Sequence, residues 1–367
     1  MDHGIAEILD GRQVAICAGS GGVGKTTTSA AIAAGMAARG KKVIVLTIDP
    51  AKRLADSLGL EELGNKAHRV DPELFEAEGV ETNGGELWAM MLDAKATFDE
   101  LIHQHAPDEE ARDRILNNQI YRQLSNALAG SQEYMAMEKL YELHAEGTYD
   151  LLVLDTPPTR NALDFLDAPR RLTQFIEGRS LQVFLAPTGL AAKVVSRGTG
   201  VAFSALKRIT GVDLLGDLSE FFQAFSSMVG GFRERARHVT ELLADDRTSF
   251  LIVCGPQGEP IKEAAYFHRK LIENEMRLGG VIVNKVHTQG DLSADFDHAA
   301  LRRALGDDLA ERVERNFLDY HALAERDRRN IYELTNKMQA ERVIEVPFLD
   351  QDVHDLAGLL NMDRWLF

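Results

Sequence analysis

Gly19-Ser20-Gly21-Gly22-Val23-Gly24-Lys25-Thr26 is the stretch that decides the fold. It is preceded by the apolar run Val14-Ala15-Ile16-Cys17-Ala18 and followed by an Ala- and Thr-rich segment that reaches Arg39 without a proline. A short apolar run that stops at glycines predicts a buried strand. The segment 25–39, closed by Gly40, predicts a helix, and Lys41–Ile48 predicts a second strand. The first fifty residues therefore read as a β-α-β unit. Further buried strands are expected at Tyr149–Leu154, Phe250–Cys254, Gly280–Val283 and Val343–Val346, most of them separated by charge-rich helical sequence. Parallel strands joined by crossover helices imply an α/β fold with a doubly wound, mostly parallel sheet.

The glycine stretch fits G-x-x-x-x-G-K-T in the strand-to-helix context this motif requires. Its glycines let backbone N–H groups turn inward around a phosphate chain, and the helix N-terminus adds a positive dipole end. Lys25 is placed to reach β- and γ-phosphates, and the Thr26 hydroxyl to ligate Mg²⁺. Gly19, Gly21 and Gly24 also satisfy G-x-G-x-x-G, with Asp49 closing the second strand, so a dinucleotide site competes. Lys25-Thr26 discriminates, because a dinucleotide loop needs no cation followed by a hydroxyl. Leu151-Leu152-Val153-Leu154-Asp155 is an apolar strand ending in a carboxylate, which suits Asp155 to holding Mg²⁺ through a water. Asp49 is suited to orienting an attacking water. Either aspartate alone reads equally well as a helix cap.

Composition limits the alternatives. Across 367 residues, 41 Lys+Arg against 57 Asp+Glu give a net charge of −16. This excess disfavours non-specific nucleic-acid binding and electrostatic docking on anionic lipid. With only two cysteines, Cys17 and Cys254, neither a disulfide framework nor a cysteine-rich metal cage is available. Both fall in expected strands, where a buried apolar role outweighs ligation. No uncharged stretch is long enough to span a bilayer, and the N-terminus lacks a signal-peptide pattern, so a soluble cytoplasmic protein is expected.

Two long helical regions interrupt the alternation. We expect an ATPase-type core over 10–97, 148–169 and 247–367, with an inserted α-helical subdomain over 98–147 and 170–246. Leu215, Leu218, Phe222, Phe225, Val229 and Phe232 recur at helical spacing and form an apolar stripe. It is either a partner-binding groove or a face packed inside the bundle or a dimer. Gly230-Gly231 within it suggests a break. His103 and His105 fall on different helix faces and read as exposed, and the charged stretch Leu301–Arg329 reads as a solvated helix surface.

At these motifs the sequence resembles the P-loop family of arsenite-pump and tail-anchored-protein targeting ATPases. Gly21-Gly22-Val23-Gly24-Lys25-Thr26-Thr27 resembles its phosphate loop. Asp49-Pro50-Ala51 resembles its first switch, with Lys52 and Arg53 following, and Asp155-Thr156-Pro157-Pro158-Thr159 its second. Val283-Asn284-Lys285 resembles the segment whose asparagine reads adenine, and Val346-Pro347-Phe348 the loop closing over the base. The resemblance implies Mg²⁺-dependent ATP hydrolysis in a dimer that opens and closes with nucleotide. It also implies a helical subdomain coupled to a partner, which in the targeting members is a hydrophobic client helix.

Three departures stand out. Ser20 occupies the position of the lysine that usually crosses to the other subunit. Either Lys52, Arg53 or Arg160 supplies the cation, or hydrolysis is weak, or a paralogous subunit donates the lysine, so a homodimer and a heterodimer both fit. Arg160-Asn161 replaces the usual Gly-His after the second switch. The family's thiol sites are missing, which disfavours arsenite pumping and excludes a Cys-x-x-Cys zinc clamp.

Overall fold

The computed structural model describes residues 4–48, 53–61, 63–119, 121, 132–156, 166–171, 174, 221, 228–288 and 298–367. The expectations placed on Asp49, Pro50, Ala51, Lys52, Pro157, Pro158, Thr159, Arg160, Leu215, Leu218, Phe222 and Phe225 lie outside these residues, as does the side chain of Arg53. The chain divides into two compact units, residues 1–90, 148–162 and 244–367, and residues 91–147 and 163–243.

The first unit is built on an eight-stranded sheet: β1 Val14–Ala18, β2 Lys42–Thr47, β3 His68–Arg69, β4 Glu86–Met91, β5 Leu151–Asp155, β6 Thr248–Cys254, β7 Leu278–Val286 and β8 Val343–Pro347. Their spatial order is β3-β4-β2-β5-β1-β6-β7-β8. The pairs β2–β5, β5–β1, β1–β6, β6–β7 and β7–β8 are parallel, and β3–β4 is antiparallel. The mostly parallel, doubly wound α/β core expected from the sequence is what the chain forms. The edge strand β3 and its neighbour β4 were not expected from the sequence.

From β1 the chain crosses over β5 to reach β2, and from β5 it later crosses over β1 to reach β6. The winding therefore reverses between β1 and β5, and the crevice at their carboxyl ends is where this architecture binds ligands. β1, β5 and β6 are buried along their whole length, which explains their unbroken apolar runs. One sheet face packs on helix Lys25–Ala38, whose Ala30, Ile32, Ala33, Ala34 and Ala37 are buried, and helix Leu356–Asn361 packs on that helix in turn. Each large side chain buried here contributes roughly 1.5–3 kcal/mol.

The second unit is helical: Ala94–His105, Glu109–Asn117, Gln132–Glu146 and Val229–Ala244. Asp93 and Asp108 cap the first two through bonds to Ala96 N–H and Ala111 N–H. Phe232 is buried and stacks on Phe98 with ring centres 5.8 Å apart, while Val229 is half-buried. Gly230 and Gly231 lie in the first turn of Val229–Ala244, and His103 and His105 are exposed. Glu138, fully buried, pairs with Arg235 and accepts a bond from the Tyr134 hydroxyl at 3.0 Å. Among the described residues, no helix is long and apolar enough to cross a membrane.

Candidate nucleotide site

The phosphate loop leaves the carboxyl end of β1, and the backbone of its neighbours dictates its composition. A Cβ on Gly19 would fall 1.9 Å from the Val253 carbonyl oxygen of β6, so only glycine passes there. Gly24 has φ of 92° and lies against Asn284, whose Nδ2 a Cβ would meet at 2.3 Å. Both glycines answer to close packing as well as to turn geometry.

Lys25 opens the helix that follows. It is only 6% exposed, and its ammonium donates to the Ser20 carbonyl at 2.8 Å, across the mouth of the loop. The hydroxyl of Thr26 donates to Asp155 Oδ2 at 2.6 Å. Asp155 also accepts from the Thr47 hydroxyl at 2.9 Å, because Thr47 and Asp155 stand opposite one another in the β2–β5 register. Cys17 faces Asp155 in the β1–β5 register, and its carbonyl accepts from the N–H and hydroxyl of Thr156 at 3.2 and 2.9 Å. The ends of three adjacent strands thus hold one carboxylate, 1% exposed, against the hydroxyl that starts the phosphate-loop helix. Oxygen donors of this kind suit Mg²⁺, a hard cation that prefers hydroxyl, carboxylate and phosphate oxygen.

Ser20 turns its hydroxyl to Glu263, on helix Gly258–Glu273 of the same chain. Cys17 and Cys254 lie buried within β1 and β6, and burial pushes both thiols up to about 12. They remain protonated, neutral members of the core. Among the described residues, no group of three or more His, Cys, Asp or Glu is placed to hold a metal ion.

A cavity of about 720 Å³ opens from the loop, within the roughly 300–1,000 Å³ usual for ligand pockets. Gly24, Lys25 and Thr26 line it at one side, with Asn284, Pro347 and Phe348 among its other walls. The residues expected to hold the phosphates and those expected to hold the base therefore share one cavity. Asn284 is 7% exposed and donates from Nδ2 to the Val23 carbonyl at 2.9 Å, tying β7 to the phosphate loop.

Two further residues, Lys285 and His287, were given no role of their own by the sequence reading. The β7–β8 register slips between Asn284 and Val286, so Lys285 is a bulge residue, with φ of 63°. Its ammonium lies 3.3 Å from the Gly22 carbonyl. His287 follows, stacked nearly parallel (10°) on Phe348 with ring centres 5.7 Å apart. Asp327, fully buried on helix Asp307–Met338, accepts from the His287 backbone N–H at 3.2 Å and lies 2.7 Å from Nδ1. Arg326 pairs with the same carboxylate at 2.9 Å. An exposed phenylalanine is thereby backed by an anchored imidazole.

Comparison with known proteins agrees with this geometry. Residues 12–326 match the model of the anion-transporting ATPase family. The chain is 29% identical to arsenical pump-driving ATPase 1 of Aquifex aeolicus over 75% of its own length and 63% of that protein's. It is 26% identical to the ATPase GET3 of Malassezia globosa over 99% of its length and 93% of that protein's. It is 25% identical to an ATPase ASNA1 homologue of Trypanosoma cruzi over 95% and 89%. With its phosphate loop, its second carboxylate strand and most of its length matched, this chain belongs to the anion-transporting ATPase family.

Proposed function

We propose that this ATPase couples binding and hydrolysis of Mg·ATP, in a dimer, to opening and closing of its helical unit around a protein partner. The observation that carries the reading is the trio of Lys25, Thr26 and Asp155 at the winding reversal, beside a cavity that also contains Asn284 and Phe348. Lys25 and the loop amides hold the triphosphate, where a fixed cation and oriented dipoles stabilise charge on the transferring phosphoryl group. Lys25 then exchanges the Ser20 carbonyl for phosphate oxygens. Thr26 and, through a water, Asp155 would hold Mg²⁺, which would supply positive charge against the phosphate oxygens. Asp49, two residues beyond Thr47, orients the attacking water. The segments after Asp49 and Asp155 act as switches that report the γ-phosphate to the helices.

The partner in this reading is a hydrophobic segment of a membrane protein awaiting delivery, bound on the stripe that includes Leu215, Leu218, Phe222 and Phe225. Arsenite is disfavoured as a ligand because the chain's two thiols are buried and held neutral. A second reading, a regulatory ATP switch that docks a folded protein, draws support from Phe232, which spends its ring inside the helical unit on Phe98 rather than on a client.

The deciding experiment measures Mg·ATP affinity and turnover for the parent, Lys25→Ala and Asp49→Asn, alongside co-purification from a membrane-protein-rich lysate. We expect Lys25→Ala to lose binding and Asp49→Asn to bind but hydrolyse at least about a hundredfold more slowly. Parental binding in the first or parental turnover in the second overturns the catalytic assignment. Retention of hydrophobic clients by a folded Phe222→Asp, Phe225→Asp variant overturns the client assignment and leaves the switch reading.

A further inference from the structure

We propose that the amino ends of β7 and β8 form a second ligand site, for a small anion carrying carboxylate or phosphate oxygens. The inference goes beyond the ATP reading and does not depend on it. A cavity of about 260 Å³ opens there, with Ile8, His268, Arg277, Gly279, Gly280 and Arg342 in its lining. The nucleotide cavity, with Asn284 and Pro347, lies at the carboxyl ends of the same two strands. At about 3.3 Å per residue, Gly279 and Asn284 stand roughly 16 Å apart along β7, so the two cavities are separate. The volume falls below the roughly 300–1,000 Å³ of ordinary ligand pockets, which limits the guest to a small molecule. The floor is bare backbone for a packing reason. A Cβ on Gly279 would fall 2.0 Å from the Ser249 hydroxyl, and one on Gly280 2.9 Å from Ile8. Glycine inside a strand marks a place of close approach.

The polar groups around this cavity are uncommitted. Among the described residues, the Arg342 guanidinium makes no ion pair or hydrogen bond. That of Arg277 reaches Asp246 at 3.9 Å, and the Asp246 side chain is 94% exposed, so water screens the pair. His268, half-buried on helix Gly258–Glu273, has no hydrogen-bond partner among the described residues. Burial pushes its pKa down, which keeps the ring neutral at neutral pH. The Ser249 hydroxyl, fully buried against Gly279, also lacks a partner among the described residues. A guanidinium carries N–H donors and no acceptor, and its planar fork matches two oxygens of a carboxylate or phosphate. A neutral imidazole adds a donor without a further charge. Against the two guanidiniums stand Glu341, which is exposed, and the carbonyl end of helix Asp307–Met338, worth about half a charge. The local balance stays positive in a chain that is −16 overall. A small oxyanion satisfies both forks and the ring, whereas an apolar or cationic guest leaves them unmatched.

The test titrates inorganic phosphate and, separately, citrate into the full-length protein by calorimetry, with a non-hydrolysable Mg·ATP analogue saturating the phosphate loop. We expect the parent to bind at least one of the two saturably, with a Kd below about 1 mM. Arg277→Gln combined with Arg342→Gln should weaken that binding at least about tenfold, while the Kd for the ATP analogue holds within about twofold. Thermal unfolding checks that the double variant folds. Arg342→Lys, which keeps the charge and loses the fork, serves if it does not, and should weaken the anion about threefold or more. Tighter binding of phosphate assigns a phosphorylated guest, and tighter binding of citrate a polycarboxylate; either supports the site. Failure of both probes to bind the parent overturns it. So does parental anion affinity in the folded double variant or in Arg342→Lys.

Discussion

Among the described residues, Glu138 of the helical unit and Asp327 of the sheet unit are both carboxylates with no exposed surface, and the two are used differently. In the helical unit, among the described residues, Glu138 meets the guanidinium of Arg235 and the hydroxyl of Tyr134, and so fastens helix Gln132–Glu146 to helix Val229–Ala244. In the sheet unit Asp327 meets Arg326 but also the backbone N–H and ring of His287, at the end of the strand that carries Asn284 and Lys285. One acid staples two helices; the other fixes the backbone next to a ligand cavity. Burial of a charge therefore says little until its partners are named, because the cost of desolvation is similar in both places.

The contrast can be broken in steps of decreasing size. The largest effect is expected at the phosphate loop. Gly24→Val forces a branched side chain into Asn284 at a left-handed position, so calorimetric titration should show Mg·ATP binding lost, by a factor of roughly a thousand or more. Next comes Glu138→Ala, which strands Arg235 and should cost about 3–5 kcal/mol in denaturant unfolding. Because Glu138 serves only its own unit, the Kd for Mg·ATP should hold within about twofold in whatever fraction is folded. Asp327→Ala should instead cost stability and ATP affinity together; a variant that loses stability alone would erase the distinction drawn above. The smallest effect, read at the foot of the thiol titration near pH 9, concerns Cys17 and Cys254. With both thiols raised from 9.0 to about 12, the unfolded chain releases two protons above pH 9 that the native chain keeps. Stability should therefore decline between pH 9 and 12 and show no thiol-linked dependence on pH below 9. Cys17→Ala with Cys254→Ala should flatten that decline in thermal scans.

Much of the sheet was legible because a parallel strand buried on both faces must be apolar throughout, and because the glycines that end β1 are demanded by contacts with Val253 and Asn284. β3 and β4 were not legible. A two-residue strand has no periodicity, and Glu86–Met91 is half-covered and lacks β-branched residues. Lys25, Thr26 and Asp155 were readable as a site because each carries chemistry that few other roles require. Lys285 and His287 were hidden for another reason. Nothing in Val-Asn-Lys-Val announces a left-handed lysine, and the partner of His287 lies 40 positions away, in a charged helix whose spacing reads as solvated surface. Asp327 is the exception within that helix, and a helical pattern cannot flag one buried acid among many exposed ones.

The strand order has a consequence for how the chain is made. β1 is synthesised before both its neighbours in the sheet, β5 and β6, which are encoded far downstream of it. Until Leu151–Asp155 and then Thr248–Cys254 have been synthesised, an apolar strand with two open edges and a glycine-rich loop must wait unpaired. The same weave that places a carboxylate beside the phosphate loop keeps the nascent chain sticky until both neighbours of β1 have been made. Slowing translation before residue 151 is a sensitive way to reveal whether the growing chain needs a chaperone of its own.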